Sequence, residues 1–335
     1  MKKFMFSSVL ICFFIFASFF SALAADTVVS LKIAVMPNPP HPYALTALDF
    51  KDKIEKATDG AIKVSVHAGG QLGGEFEYVQ GLQLGTIDAC MTATPSFAGM
   101  VPQYEIFTLP FLFKDYAHAD RVFFKSDIGT KAASILDEHG ILLLSWHESG
   151  MQGFYNSKRP IQKIQDIKGM TMRTMESPTI AAAMNAYGAR SIPMAFPEFY
   201  SAMQTGVVDG GENGIYAYYV AKHYEVAPFY TVSNHRYLTS AFLLSNKAWK
   251  KIPDKYKELV KKTAVESSLY GIGEGRKTED VRYKEVQEKF GSKLNIMSEE
   301  AKADFRKAVE KLYKQVGKKT GMQEMLVEII ALRDK

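Results

Sequence analysis

The first hundred residues alternate short β-rich runs with amphipathic stretches, and this pattern restricts the fold more than any other feature of the chain. Ser30–Val35 (SLKIAV), Ile62–His67 (IKVSVH) and Asp88–Ala93 read as strands, while Tyr43–Ala57 and Glu75–Leu84 carry apolar residues at helical spacing. A βαβαβ order of this kind predicts a parallel sheet covered by helices. Ligands bind such sheets beyond the carboxyl ends of the strands, which is where Gly69-Gly70 and Gly73-Gly74 fall.

The pattern continues with an apolar loop at Leu109–Phe113, a helix from about Tyr116 to His139 and a strand at Ile141–Trp146. A second unit then begins. Its pieces are Gly153–Asn156, Met170–Thr174, a helix opened by Ser177-Pro178, the strand-like Ser191–Met194 and a helix at Pro197–Gln204. Serine at the N-cap with proline in the first turn is a strong start signal, and Gly206 suits a helix end. Tyr230–Ser245, rich in β-branched and aromatic residues, is expected to return as a long strand to the first unit. From about Pro253 to Phe290 the chain reads as one charged helix, roughly 55 Å long at the standard rise. Gly271, Gly273 and Gly275 weaken it and are expected to mark a bend. Glu299–Lys314 and Met322–Leu332 are two closing helices. The expected organisation is therefore a first α/β lobe over residues 25–147 plus about 235–260. A second comprises 148–234 plus the C-terminal helices, and a helix at about 253–290 spans both.

Residues 1–24 read as a secretory leader. Lys2 and Lys3 precede the uncharged apolar run Phe4–Phe20, and Ala22-Leu23-Ala24 is a small-x-small cleavage site. The competing reading, a membrane anchor, needs roughly 20 apolar residues, and this run is slightly short. Cleavage near Ala24 removes Cys12, leaving Cys90 as the only cysteine and no intrachain disulfide. It also removes two lysines from a chain of net charge +5, too mild a balance to suggest nucleic acid or a membrane surface. The roughly 310 residues that remain suffice for a sizeable core.

Chemistry concentrates between Gly169 and Tyr219. Arg173 closes a short apolar stretch among Met170, Met172 and Met175. A guanidinium presents a rigid two-pronged donor that matches a carboxylate, and the partner is either a ligand or an internal acid. About forty residues later Glu212-Asn213 follows Gly210-Gly211, where the backbone permits close approach and the amide has a proton to donate. Phe196 and Tyr216 are candidates to wall a pocket or simply to fill core. The seven histidines form no HExxH or HxH and have no cysteine at zinc-ligand spacing, and no GxSxG is present. The glycines at 271–275 lack the lysine and hydroxyl of a phosphate loop. No metal, cofactor or catalytic set is expected, and the chain is read as not being an enzyme.

Four blocks carry a resemblance: GGQLGGEFEYVQGLQLGTIDA (69–89), LPFLFKD (109–115), FYNSKRPIQKIQDIKGMTMR (154–173) and PMAFPEFYSAMQTGVVDGGEN (193–213). With them the chain, from about Leu31 to Tyr313, resembles the DctP-type solute-binding proteins of tripartite ATP-independent periplasmic (TRAP) transporters. The resemblance implies a two-lobed periplasmic binding protein fold of α/β class, hinged lobes and a long bridging helix. It also implies a periplasmic monomer that passes a small organic acid to membrane permease subunits driven by an ion gradient. Arg173 then corresponds to the arginine that grips the ligand carboxylate at two points, and Asn213 to its assistant. Phe196, Glu75 and His235 match positions that line or border the pocket, and His41 and Thr92 lie on first-lobe loops facing it. Tyr216 and Gln152 complete the expected ligand-facing set. Members that bind large acidic sugars often carry a second arginine where this chain has Gly153. Its absence, with Met36, Met91 and Met151 expected at the cleft, predicts a monocarboxylate with a modest apolar or aromatic body. A sensor presenting its ligand to a membrane receptor is the alternative reading.

Overall fold

The computed structural model describes residues 28–335; the expected leader lies outside them. Nine strands, β1 (Val29–Val35), β2 (Ile62–His67), β3 (Ala89–Ala93), β4 (Ile141–Asn156), β5 (Thr171–Thr174), β6 (Arg190–Pro193), β7 (Gly210–Asn213), β8 (Phe229–Ser245) and β9 (Lys293–Ile296), form one sheet. The order is β2-β1-β3-β8-β4-β7-β5-β6, with β9 alongside β8. β1 pairs in parallel with β2 and β3, as the βαβαβ pattern requires. A second parallel set, β5 with β6 and β7, builds the other half.

Two long antiparallel strands join the halves. β4 runs for 16 residues and β8 for 17. One end of β8 (Ser240–Leu244) pairs with β3, and the far end of β4 (Gly153–Asn156) pairs with β7. The sequence pieces Ile141–Trp146 and Gly153–Asn156 are thus one strand, interrupted by register shifts between Glu148 and Met151 and between Gln152 and Phe154. At the first shift β4 carries one extra residue and at the second β8 carries three, and bulges of this kind bend strands, here where both pass between the halves. The helix expected from Tyr116 to His139 is two, Tyr116–Phe124 and Ile128–Asp137. Ser126 separates them: its hydroxyl donates to the Val122 carbonyl and accepts from the Ile128 amide, replacing helical backbone bonds.

The C-terminal helices divide between the halves, which corrects the expectation that both join the second. Helix Glu299–Thr320 inserts Phe305 and Val309 among Met170, Met172, Met184 and Tyr187 of the second half. Helix Gln323–Ala331 instead packs Met325, Leu326 and Ile329 with Ile128, Ala132 and Leu136 of the first. His118 Nε2 donates to the Ile329 carbonyl at 2.8 Å and fixes that docking.

The long helix is continuous over Asp254–Glu288, 35 residues. Its glycines serve packing. A Cβ on Gly271 would sit 2.0 Å from Thr46 Oγ1 and 2.8 Å from the Pro42 carbonyl, so helix Pro42–Ala57 approaches through the missing side chain. Gly273 faces open space. Opposite outcomes are therefore expected from one chemical change. Gly273→Ala should stabilise by up to about 1 kcal/mol through helix propensity. Gly271→Ala should cost about 1–3 kcal/mol by forcing the helices apart. Thermal melts of the two variants check this.

Candidate ligand-binding cleft

Arg173 lies in the middle of β5, in register with Ile192 of β6 and Gly211 of β7. It is only 2% exposed. Nε donates to the Met194 carbonyl at 2.9 Å, and the guanidinium carbon stands 5.2 Å from the Phe199 ring centre and 5.8 Å from that of Phe196. Among the described residues no carboxylate forms an ion pair with it, and its terminal nitrogens have no hydrogen-bond partner. Burial presses its pKa below the usual arginine value, opposed by Tyr155, Glu212 and Glu75. The result is a desolvated cation lining a cavity.

The obvious internal partner is engaged elsewhere. Glu212, directly before Asn213 on β7, pairs with Arg236 and with His235 Nε2, both buried on β8. Alternation along the strand turns Glu212 to one face and Asn213 to the other. Asn213 Oδ1 accepts the Gly214 amide at 3.0 Å; Nδ2 directs one proton toward the Tyr155 phenol and keeps a second for the cavity that Asn213 lines.

Glu75 opens helix Glu75–Leu84 and faces the same cavity. One of its oxygens collects three donors: Ser96 Oγ at 2.7 Å, the Ala93 amide at 3.2 Å and Thr92 Oγ1 at 3.3 Å. Burial nevertheless raises its pKa above the usual carboxylate value, against the pull of those donors and of Arg173. His41 caps helix Pro42–Ala57, its Nδ1 accepting the Tyr43 amide at 3.2 Å. Burial, aided by the neighbouring His147, lowers its pKa to about 3, so the ring is neutral.

About 600 Å³ of non-atom space lies within the cavity and its open mouth. Met36, Pro37, Phe76, Ala93, Met175, Ala195, Phe196, Ala217 and Leu238 supply apolar wall. His41, Tyr43, Glu75, Ser96, Ser149, Arg173, Glu176 and Asn213 supply the polar groups. Arg173 is the sole arginine or lysine in this lining.

Five of the expected ligand-facing residues thus meet at one cavity: Arg173, Asn213, Phe196, Glu75 and His41. Four do not line it. Thr92 stands behind Glu75 as a hydrogen-bond donor. Tyr216 donates to the Gly275 carbonyl and walls a smaller neighbouring cavity of about 330 Å³. His235 stacks on Phe154 at 3.9 Å and holds Glu212. Gln152 turns back to the carbonyls of Gly150 (3.1 Å) and Ser149 (3.4 Å). Met91 and Met151 are core; only Met36 of that trio reaches the cavity. A second arginine at Gly153 has no room on this backbone, because its Cβ would meet the Tyr230 ring at 2.6 Å and the Thr231 carbonyl at 2.7 Å. Ser149, Ser96 and Tyr43 went unread in the sequence. Isolated hydroxyls carry no spacing signal, and the shifts in β4 flanking Ser149 are visible only in three dimensions.

Residues 33–320 match the family of bacterial extracellular solute-binding proteins, family 7 (DctP). A solute-binding protein from Verminephrobacter eiseniae is 35% identical over 230 residues, covering 69% of this chain and 68% of its own. A TRAP periplasmic solute-binding protein from Xanthobacter autotrophicus, solved with β-D-galacturonate bound, superposes with a TM-score of 0.85 at 28% identity, covering 90% of this chain and 99% of that one. One from Sulfurospirillum deleyianum, with succinate bound, gives 0.85 at 29% identity over 90% and 98%. The match over nearly the whole folded chain, with the two-lobed α/β architecture, makes this protein a member of the DctP family of TRAP solute-binding proteins, periplasmic proteins that bind small organic acids and work with membrane permeases.

Proposed function

We propose that this chain captures a monocarboxylate with a modest apolar or aromatic body, its carboxylate gripped by Arg173 and assisted by Asn213 Nδ2. One observation carries the reading: a guanidinium 2% exposed, without a carboxylate partner, at the wall of a half-apolar cavity. Burying an unpaired cation is costly, and a ligand anion in two-point geometry relieves that cost. Galacturonate and succinate, bound by the two compared proteins, both present carboxylates. A dicarboxylate in this cleft would leave its second charge among Met36, Phe76, Phe196 and Leu238, near Glu75 and Glu176, without a second cation. The aliphatic and aromatic part of the lining suits an apolar body. Closure of the two halves about β4 and β8 excludes water and strengthens the grip. The protein acts as an exported monomer that hands the acid to a permease.

A thermal-shift screen over apolar monocarboxylates, dicarboxylates and uronic acids tests the specificity. At a ligand concentration a thousandfold above Kd the folded state gains about 4 kcal/mol, a rise of several degrees. The largest rise is expected from an apolar monocarboxylate. Tightest binding of a dicarboxylate overturns the proposed charge count; tightest binding of a uronate overturns the apolar body alone.

A further inference from the structure

His41 and Ser149 together define a donor at the cavity wall. Nδ1 of His41 accepts a backbone amide, a group that only donates, so in the neutral ring the proton resides on Nε2. Nε2 faces Ser149 Oγ at 3.3 Å and donates to it. Having accepted there, Ser149 turns its own proton elsewhere. The Tyr43 phenol oxygen lies within its reach, and Tyr43 is itself bonded to Ser240. Otherwise that proton faces the cavity that Ser149 lines. The placement is built into the sheet: Ser149 and Gly150 sit at the register shift of β4, and Gly150 has a φ of 75°. Ser149 also lies against the strand that holds Asn213, since its carbonyl is 2.5 Å from where a Cβ on Gly214 would be.

We propose that Ser149, oriented by His41, is a specificity-determining donor for an uncharged oxygen next to the ligand carboxylate, which makes the preferred ligands 2-oxo or 2-hydroxy acids. This rests on the carboxylate grip by Arg173 and deepens it. A plain aliphatic acid satisfies Arg173 but leaves the Ser149 hydroxyl without a new partner. The oxygen-bearing acid satisfies both.

Calorimetry with two carbon-matched probes, 4-methyl-2-oxopentanoate and 4-methylpentanoate, provides the test. The wild type should bind the oxo acid about tenfold more tightly, the value of one hydrogen bond. In Ser149→Ala the ratio of the two affinities should fall to near one, with the variant's melting curve confirming its fold. Nitrogen-15 NMR of His41 should show protonated Nε2 and unprotonated Nδ1. Equal binding of both acids by the wild type, a ratio that survives Ser149→Ala, or a proton on Nδ1 each overturns the assignment while leaving the carboxylate grip standing. Failure of both acids to bind the wild type overturns the apolar-acid reading and this inference with it.

Discussion

Arg173→Ala should abolish measurable ligand binding while the free protein melts at or above the wild-type temperature. The two effects share one cause. In the free protein the guanidinium is buried, donates through Nε to the Met194 carbonyl and stands over the Phe196 and Phe199 rings. Its desolvation is thus only partly compensated, by more distant acids and the ring faces, until an anion arrives. Removing it relieves the empty protein and deprives the ligand. A carboxylate sealed in the cleft without its partner costs about 3–5 kcal/mol, which lowers affinity by roughly two to more than three orders of magnitude. Arg173→Lys should recover little, because a point charge on a flexible stem offers no fork and stacks poorly against Phe196 and Phe199. Calorimetry with the best acid from the screen and a melt of each unliganded variant measure both halves. Near-native affinity in the alanine variant overturns the assignment. A large fall in its unliganded stability shows instead that Arg173 is a structural group.

The sequence made the frame legible where local periodicity and long-range structure agree. β1, β2 and β3 and the helices between them follow from alternation and capping, and Ser177-Pro178 opens its helix as read, with Ser177 Oγ accepting the Ile180 amide. Periodicity failed where the partner decides. Gly271 reads as a flaw in a helix until helix Pro42–Ala57 fills the space it leaves. The site followed the same division. Arg173 and Asn213 stand out through the family resemblance, because their chemistry alone leaves an internal acid and an ordinary turn open. His235, Tyr216 and Gln152 have the right polarity for ligand contact, yet their partners are Glu212, Gly275 and the turn at Ser149–Gly150. Side-chain direction within β4 and β8 depends on register, and a shift of one residue exchanges cleft for core.

Arg236→Met tests the arrangement that leaves Arg173 free, and it should be the costliest substitution to stability considered. Glu212 is 3% exposed between Arg236 and His235. Burial by itself would raise the Glu212 pKa, but the Arg236 charge and the His235 bond outweigh it and hold the carboxyl at about 2, down from 4.5. A depressed carboxylate pKa contributes stability above the unfolded value and loses it as pH falls, here between about 4.5 and about 2. Without Arg236 the buried carboxylate keeps only His235, itself held neutral by burial against the pull of Glu212. The expected cost near pH 7 is about 3–5 kcal/mol, the usual consequence of orphaning one ion of a buried pair. The sign of the Glu212 contribution to the pH dependence should then reverse. Desolvation now dominates Glu212 and raises its folded pKa above the unfolded one, so its own contribution to stability rises on acidification in the variant where it falls in the wild type. The two curves converge toward pH 3. Glu212→Gln combined with Arg236→Met should restore most of the loss, because no charge is left buried and Arg236 Nε and Nη1, which have no partners, disappear too. Denaturant melts of the three variants and the wild type across pH 3–8 decide it. A single-variant cost below about 1 kcal/mol, or parallel pH curves, means that Glu212 is satisfied without Arg236, because a buried carboxylate deprived of its cation must show the desolvation cost in both measurements.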